Sequence, residues 1–194
     1  EAFTTHEEKW GYWGQRYDAN GLAKESQFHW AFPDNVSGGL KITRQGVDGF
    51  VLVWHQDRAD GSGSDIFMQR YGAPDHYAVS QYGHNYLALS QSTMGSPDPY
   101  QVSGTGASYN WPQVTTLADG TFVVSWNVQD ANSSGQLLSD IYGQRFDASG
   151  NTIGSEFQIN QEDGFNHAKL TWTSDETGGF TAIWTKSETV IDTE

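Results

Sequence analysis

Three aspartates in a glycine- and serine-rich stretch are the residues of this chain that come nearest to a metal site. Asp57, Asp60 and Asp65 lie in and beside the sequence DGSGSDIF, which nearly matches a calcium-binding glycine–aspartate nonapeptide. Calcium takes hard oxygens from carboxylates and backbone carbonyls, and glycine lets the chain curl around the ion. The nonapeptide works in tandem and is present once, so the stretch is interpreted either as a calcium loop or as a plain loop before a strand.

Aromatic residues form a second group of candidates, comprising a tryptophan that does not recur and five tyrosines in residues 72–110, a segment that makes the second of the repeats described below longer than the others. An insertion in a repeat maps to a loop on one face, which is often the binding face. Tyrosine is favoured at protein interfaces, and exposed aromatic rings can stack on sugars. The alternatives are a drifted linker and ordinary packing. The contact candidates are Tyr77, Tyr82, Tyr86, Tyr100, Tyr109 and Trp111.

Catalytic motifs are missing from the sequence. It has no phosphate-binding loop, dinucleotide fingerprint or nucleophile elbow. A carboxylate pair such as Asp57 and Asp60 would suffice for a glycosidase, but nothing marks out any one pair. The chain is therefore predicted not to be an enzyme and to need no cofactor apart from the candidate calcium ion; a propeller-type glycosidase is the weakest alternative.

Short β-strands are the elements that must position these residues. Thr121–Trp126 alternates between two faces, as half-buried strands do, and Phe50–Trp54 and Phe180–Trp184 repeat it. The run GQRYDANG at 14–21 copies GQRFDASG at 143–150. Asp can hydrogen-bond its own backbone ahead and Gly can take a positive φ, so these runs end in hairpin turns.

This self-similarity predicts an all-β domain over residues 1–194, built of repeated four-stranded antiparallel sheets like propeller blades. Residues 169–184 form the first half of a unit and 10–30 the second half. The terminal segments are therefore predicted to complete one of three units, with Phe180–Trp184 in the same sheet as Trp13–Tyr17. Propellers typically have four to eight blades, so a three-sheet β-prism-like body is the alternative. The repeat segments are about 10–39, 40–110, 111–165 and 166–194.

Residues that recur in each copy are predicted to be structural. Trp54, Trp126 and Trp184 end the same strand in their copies, which favours a place in the core. One arginine per copy follows a glutamine and is predicted to clamp backbone or Asp, because its guanidinium presents a fork of donors. These arginines are Arg16, Arg70 and Arg145.

The segments LADGTFVVSW and DIYGQRFDASGNTIGSEFQIN resemble the tandem repeats of very large secreted bacterial RTX-type, calcium-associated adhesin proteins. The resemblance covers most of the chain in three registers and is weakest in the second copy, where Met68 and Gly72 depart from it. It implies a non-catalytic, β-rich module at the cell surface or outside the cell, with the periplasm as a further location. It does not fix a ligand.

Composition limits the partners. The net charge of −14 disfavours nucleic acid and anionic membranes. The chain has no cysteine, and no apolar run is long enough to span a membrane. It begins with Glu, which predicts a processed chain or a piece of a larger protein or assembly. The predicted function is a binding or structural scaffold module that contacts another protein, and the alternative is a lectin-like module that binds a cell-surface glycan.

Overall fold

A computed structural model describes residues 12–24, 27–30, 36–46, 49–71, 76–79, 85–88, 100–103, 107–131, 137–161 and 165–187. Fourteen strands and no helix lie in these ranges, which confirms the prediction of an all-β fold. The strands are β1 (Tyr12–Gly14), β2 (Phe28–Trp30), β3 (Val36–Gln45), β4 (Gly49–Asp57), β5 (Ser64–Tyr71), β6 (His76–Val79), β7 (Asn85–Ala88), β8 (Tyr100–Gln101), β9 (Ser108–Thr116), β10 (Phe122–Ala131), β11 (Leu137–Phe146), β12 (Thr152–Gln158), β13 (Asn166–Ser174) and β14 (Phe180–Ser187).

The chain divides into two compact units. The first comprises 1–34 and 74–90 and contains two antiparallel pairs, β1 with β2 and β6 with β7. The second comprises 35–73 and 91–194. It contains a four-stranded sheet in the order β3-β4-β5-β8 and a six-stranded sheet in the order β14-β13-β11-β10-β9, with β12 also paired to β11. The prediction of a single domain over 1–194 stays a prediction.

The pairing of β1 with β2 repeats the pairing of β11 with β12. Gly14 lies opposite Phe28, and Gly143 lies opposite Phe157. The sequence similarity between these segments thus reflects the same strand register. Residues 12–30 therefore form the second half of a repeat unit, as the sequence predicts.

The turns of these two hairpins are also the same. Asp18 N donates to Leu22 O at 2.8 Å, and Asp147 N donates to Asn151 O at 2.8 Å. Each Asp side chain then accepts the backbone N–H four residues ahead, at 2.9 Å in both turns. The glycines that close the turns have φ of +80° and +87°, which an L side chain adopts only with strain. The Asp and the Gly together explain why this short sequence repeats so closely.

In the second unit the main core lies between the two larger sheets. Apolar side chains from the faces of both sheets form one buried cluster, and Thr43 and Thr116 hydrogen-bond across at 3.1 Å. The four-stranded sheet contributes Val51, Val53, Ile66 and Met68, and the six-stranded sheet contributes Tyr109, Val114, Phe122, Val124, Trp126 and Phe146. Repeated strands that bury their faces against each other are the expected packing of stacked repeat units.

The repeated tryptophans differ in burial. Trp54 and Trp126 are 0% exposed, which confirms their predicted place in the core. Trp184 is only half-buried, because its strand β14 is the outermost strand of the six-stranded sheet among the described strands. The same sequence position is therefore buried in two copies and partly open in the third.

A bulge lies opposite each repeated tryptophan. It holds one residue with positive φ: Gly39 (+69°), Trp111 (+50°) or Lys169 (+54°). The bulges fix the alignment of the repeats, in which Thr171 of β13 stands where Gln113 stands in β9. The turns before β10 and β14 are equally long, with five residues between the paired positions Thr116–Phe122 and Ser174–Phe180.

The prediction that the terminal segments share a sheet is wrong. Phe180–Ser187 pairs with Asn166–Ser174, whereas Tyr12–Gly14 pairs with Phe28–Trp30 in a separate two-stranded sheet. Both observed pairings are local hairpins, and closing a short loop costs less chain entropy than bringing the two ends of the chain together. The described strands form no closed barrel, and closure as a propeller or a prism stays a prediction.

Candidate functional site

The three predicted metal ligands have different surroundings. Asp57 is exposed at the end of β4, opposite Ser64. Asp60 is exposed in the following turn, where its side chain accepts the backbone N–H of Ser62 at 2.9 Å. Two hydrogen bonds with Ser62 lower the pKa of Asp60: the bond with the Ser62 side chain has the larger effect, and the bond with its backbone N–H has the next largest. Asp60 thus acts as a turn former in this structure.

Asp65 is engaged by an arginine. Arg58 donates Nε to Asp65 Oδ2 at 3.0 Å and Nη2 to Asp65 Oδ1 at 2.5 Å, in a two-pronged ion pair. The same guanidinium donates to Ala107 O at 2.8 Å and lies over the Tyr109 ring, 6.0 Å from its centre. Its hydrogen bonds to the Asp65 carboxylate raise the pKa of Arg58. Among the described residues no group of three or more His, Cys, Asp or Glu could hold a metal ion.

The predicted contact tyrosines are distributed over several strands. Tyr77 and Tyr86 lie in the β6–β7 hairpin, opposite Leu87 and Ala78, and Tyr100 lies in β8, opposite Met68. Tyr82 lies outside the described residues. Tyr109 is 8% exposed and belongs to the core between the two large sheets.

Among the contact candidates whose side chains the structure describes, Trp111 is the most exposed. It sits in the bulge of β9 opposite Trp126, and 49% of its surface is exposed. Gly39, on the neighbouring β3, approaches the same bulge so closely that a Cβ there would lie 2.8 Å from Pro112 Cδ. The bulge is therefore a fixed feature that turns the indole away from the core.

Arg70 joins the two large sheets. From β5 it donates Nε to the side-chain oxygen of Gln45 at 2.8 Å, and Nη2 to Ala148 O at 2.5 Å. It also donates Nη1 to Ser149 O, in the turn that follows β11. This confirms the predicted backbone clamp and shows that it joins one repeat to the next.

Arg145 fulfils the same prediction in a different way. Its Nη2 donates to Asp119 Oδ2 at 2.7 Å and to Thr121 Oγ1 at 3.0 Å, in the turn between β9 and β10. Arg145 thus fastens the third strand of its own repeat to the turn of that repeat. Both arginines have structural partners, as their recurrence predicts.

A buried polar cluster surrounds His167, which is 1% exposed. Its Nδ1 lies 3.2 Å from Ser139 O and 3.5 Å from Asp140 Oδ1. The Asn160 amide donates to Asp140 Oδ1 at 2.7 Å and accepts from Ile141 N at 2.7 Å. The cluster holds β11 to β13, and its buried imidazole is not accessible to a substrate. The sequence shows His167 only as a histidine without metal-ligand spacing.

The C-terminal hairpin β13–β14 is where the repeated residues are least covered. Ile183 is 66% exposed, whereas Val53 and Ser125, at the same position of β4 and β10, are both 0% exposed. An apolar side chain that is buried in one copy of a repeat and exposed in another indicates a surface that a neighbour covers in the first copy.

The outer edge of β14 also differs from the equivalent edges. In the complete copies the strand that contains the repeated tryptophan pairs antiparallel with the next strand, β4 with β5 and β10 with β11. Phe180–Ser187 is bounded on one side by β13, and no strand of the described part of the chain lies on its other side. An open sheet edge exposes a row of backbone donors and acceptors that can bind another strand.

No family model matches the chain, and comparisons with curated proteins and with solved structures gave no match. The interpretation of the β14 edge therefore uses the sequence and structure of this chain alone. Within the described residues no helix is long and apolar enough to cross a membrane.

Proposed function

We propose that this chain is a non-catalytic binding or structural module that contacts another protein. The observation that carries the proposal is the open edge of β14, because each complete copy of the repeat covers this edge with a strand. Pairing an added strand with an exposed sheet edge is a recurrent mode of protein recognition. Three arginines support the structural side of the proposal. Arg58, Arg70 and Arg145 hydrogen-bond to neighbouring strands and turns and so stabilise the fold.

The cellular location of the protein and the arrangement of its repeats are also part of the proposal. The repeats resemble those of secreted RTX-type adhesin proteins, which favours a place outside the cell, at its surface or in the periplasm. The stacked sheets of the second unit favour a propeller-like arrangement of repeats. The module would then serve adhesion or scaffolding as one part of a larger array.

A lectin-like module is the second candidate, and Trp111 is the observation that favours it. Its indole is 49% exposed in the bulge of β9, and an exposed aromatic face can stack on a sugar ring. The predicted tyrosines around residues 76–100 would add further contacts in this alternative. The partner would be a cell-surface glycan.

A glycan array combined with a thermal-shift screen separates these functions. The protein-contact proposal predicts that no sugar raises the melting temperature. Stabilisation by a sugar that disappears in Trp111→Ala and survives in the control Ile42→Ala, at another exposed apolar side chain, would favour the lectin. Turnover of aryl glycosides that one Asp→Asn change abolishes would overturn the proposal of a non-catalytic module.

A photo-crosslinking amino acid tests the protein contact directly. Placed at Ile183, beside the open edge, it should crosslink to a protein partner in an extract of exported proteins. The control position is Asn151, in the exposed turn after β11. Equal crosslinking from both positions would contradict the proposal.

A further inference from the structure

We infer that the open edge of β14 accepts a β-strand of the type that completes the other two copies, supplied by a separate repeat unit. The type is a strand that reads aromatic–x–Gln–Arg–aromatic, as in residues 67–71 and 142–146. This inference rests on the proposed function, since it takes a protein as the partner and adds which sequence binds and in which register.

The two complete copies show how such a strand pairs. Trp54 lies opposite Phe67, and Trp126 lies opposite Tyr142. The first aromatic residue of the pattern therefore faces the repeated tryptophan in both copies. In the C-terminal copy the residue in that place is Trp184, whose half-buried side chain has room for a cross-strand aromatic neighbour.

The second aromatic residue of the pattern stacks on the repeated phenylalanine. The rings of Phe50 and Tyr71 are 5.1 Å apart, and those of Phe122 and Phe146 are 5.2 Å apart, with both pairs stacked. In β14 this position is Phe180, which the described structure covers only partly. An added strand in the same register would place one aromatic residue against each end of the edge.

The backbone of β14 is correctly oriented for this pairing. Asp175 N donates to Gly179 O at 3.0 Å, which makes these residues a hydrogen-bonded pair at the start of the hairpin. Bonded and non-bonded pairs alternate along an antiparallel ladder, and Ala182 lies opposite Trp172. From the bonded pair at residues 175 and 179, the pair of Thr173 and Thr181 is again bonded and the pair of Trp172 and Ala182 is not. The N–H and C=O of Ala182 therefore point away from β13, toward the open edge.

The arginine of the pattern has carboxylates nearby. In the third copy Arg145 lies opposite Val123 and reaches Asp119 in the preceding turn. The equivalent position of β14 is Thr181, and the turn before β14 carries Asp175 and Glu176. A strand with arginine at this position therefore suits the edge in charge as well as in shape.

A fluorescent peptide of residues 138–160 from this chain, which contains the third strand, the turn and the fourth strand, tests the inference by fluorescence anisotropy. We expect saturable binding, which falls about ten-fold or more in Ala182→Pro because proline removes the outward N–H. The control is Ile42→Thr, at an exposed apolar side chain of β3 outside this edge, and it should bind as the wild-type protein does. A peptide with Tyr142 and Phe146 both changed to Ser should bind about ten-fold more weakly.

Amide exchange keeps the test decisive if Ala182→Pro does not fold. The wild-type peptide should slow exchange at Phe180 and Ala182 and leave Thr181 unchanged, since only alternate amides face the edge. Absent binding, or binding equal for both peptides, would overturn the inference while leaving the photo-crosslinking test of the proposed function intact. Self-association lost in Ala182→Pro would overturn a separate repeat unit as the partner and assign the edge to a second copy.

Discussion

Replacing Trp126 by alanine tests whether the repeated tryptophan stabilises the fold by filling the space between sheets. Trp126 is 0% exposed and belongs to the cluster between the two large sheets. Its equivalent Trp184 lies within the edge strand β14 and is partly exposed. The pair therefore compares one substitution at one repeat position in two environments.

The structure sets the expected sizes. Truncating a fully buried tryptophan costs about 3–5 kcal/mol, because transfer free energy is lost and a cavity remains. Trp184→Ala should cost less, about 1–2 kcal/mol, because its side chain is already partly exposed and loses less buried surface on truncation. Trp126→Phe should cost less than Trp126→Ala, because the indole Nε1 is buried with no hydrogen-bond partner in the described part of the chain.

Urea unfolding followed by far-ultraviolet circular dichroism measures all three variants, and calorimetry checks how many transitions occur. The midpoint and slope together give the free energy of unfolding. The reasoning is refuted if Trp126→Ala changes that free energy by less than about 1 kcal/mol, or if Trp184→Ala is as costly as Trp126→Ala.

Three further predictions concern charged groups. Arg70→Met should lower the free energy of unfolding by about 1–3 kcal/mol in urea titrations, because the carbonyls of the neighbouring turn lose their donor; no change would contradict the inter-sheet clamp. The Asn151 side chain and backbone N–H lower the pKa of Asp147 below its ordinary 3.8, so its stabilisation is present above about pH 4 and is lost as the pH falls through the folded pKa. Asp147→Asn should therefore melt lower than the wild-type protein at neutral pH and lose less on acidification, and parallel melting curves would contradict this. Since Arg58 occupies both oxygens of Asp65, calcium and a chelator should give equal melting temperatures; a rise with calcium that Asp65→Asn removes would instead establish the predicted calcium loop.

Much of the fold follows from the sequence because the repeated residues impose local rules. The alternation in Thr121–Trp126 gives a strand with unlike faces, and the Asp and Gly of 147–150 fix the same turn as those of 18–21. These local rules could not predict whether the N-terminal and C-terminal segments pair with each other. That pairing depends on the balance between local hairpins and distant segments, and sequence similarity between half-units does not say which halves meet.

The site was less predictable than the strands. The spacing of the aspartates indicates a metal loop, but Arg58, which lies between them, takes up Asp65, and an ion pair of this kind has no sequence signature. The sequence predicts Tyr109 to be a contact residue at the surface. It belongs to the core instead, because its strand β9 lies against the four-stranded sheet. The open edge of β14 is invisible in sequence, since Phe180–Trp184 looks like the fully covered copies.

The most direct measurement is a register-specific disulfide between the protein and the strand proposed to pair with β14. The chain has no cysteine, so with one cysteine at Ile183 and one at Gly143 of the 138–160 peptide, the mixed disulfide is identified by its mass, which differs from that of either homodimer. In the complete copy Ser125 lies opposite Gly143, and Ile183 holds the position of Ser125. Repeat completion predicts that this pair crosslinks in a mild redox buffer and that a cysteine at Thr185 crosslinks far less. Equal crosslinking at both positions, or none at Ile183, would contradict it.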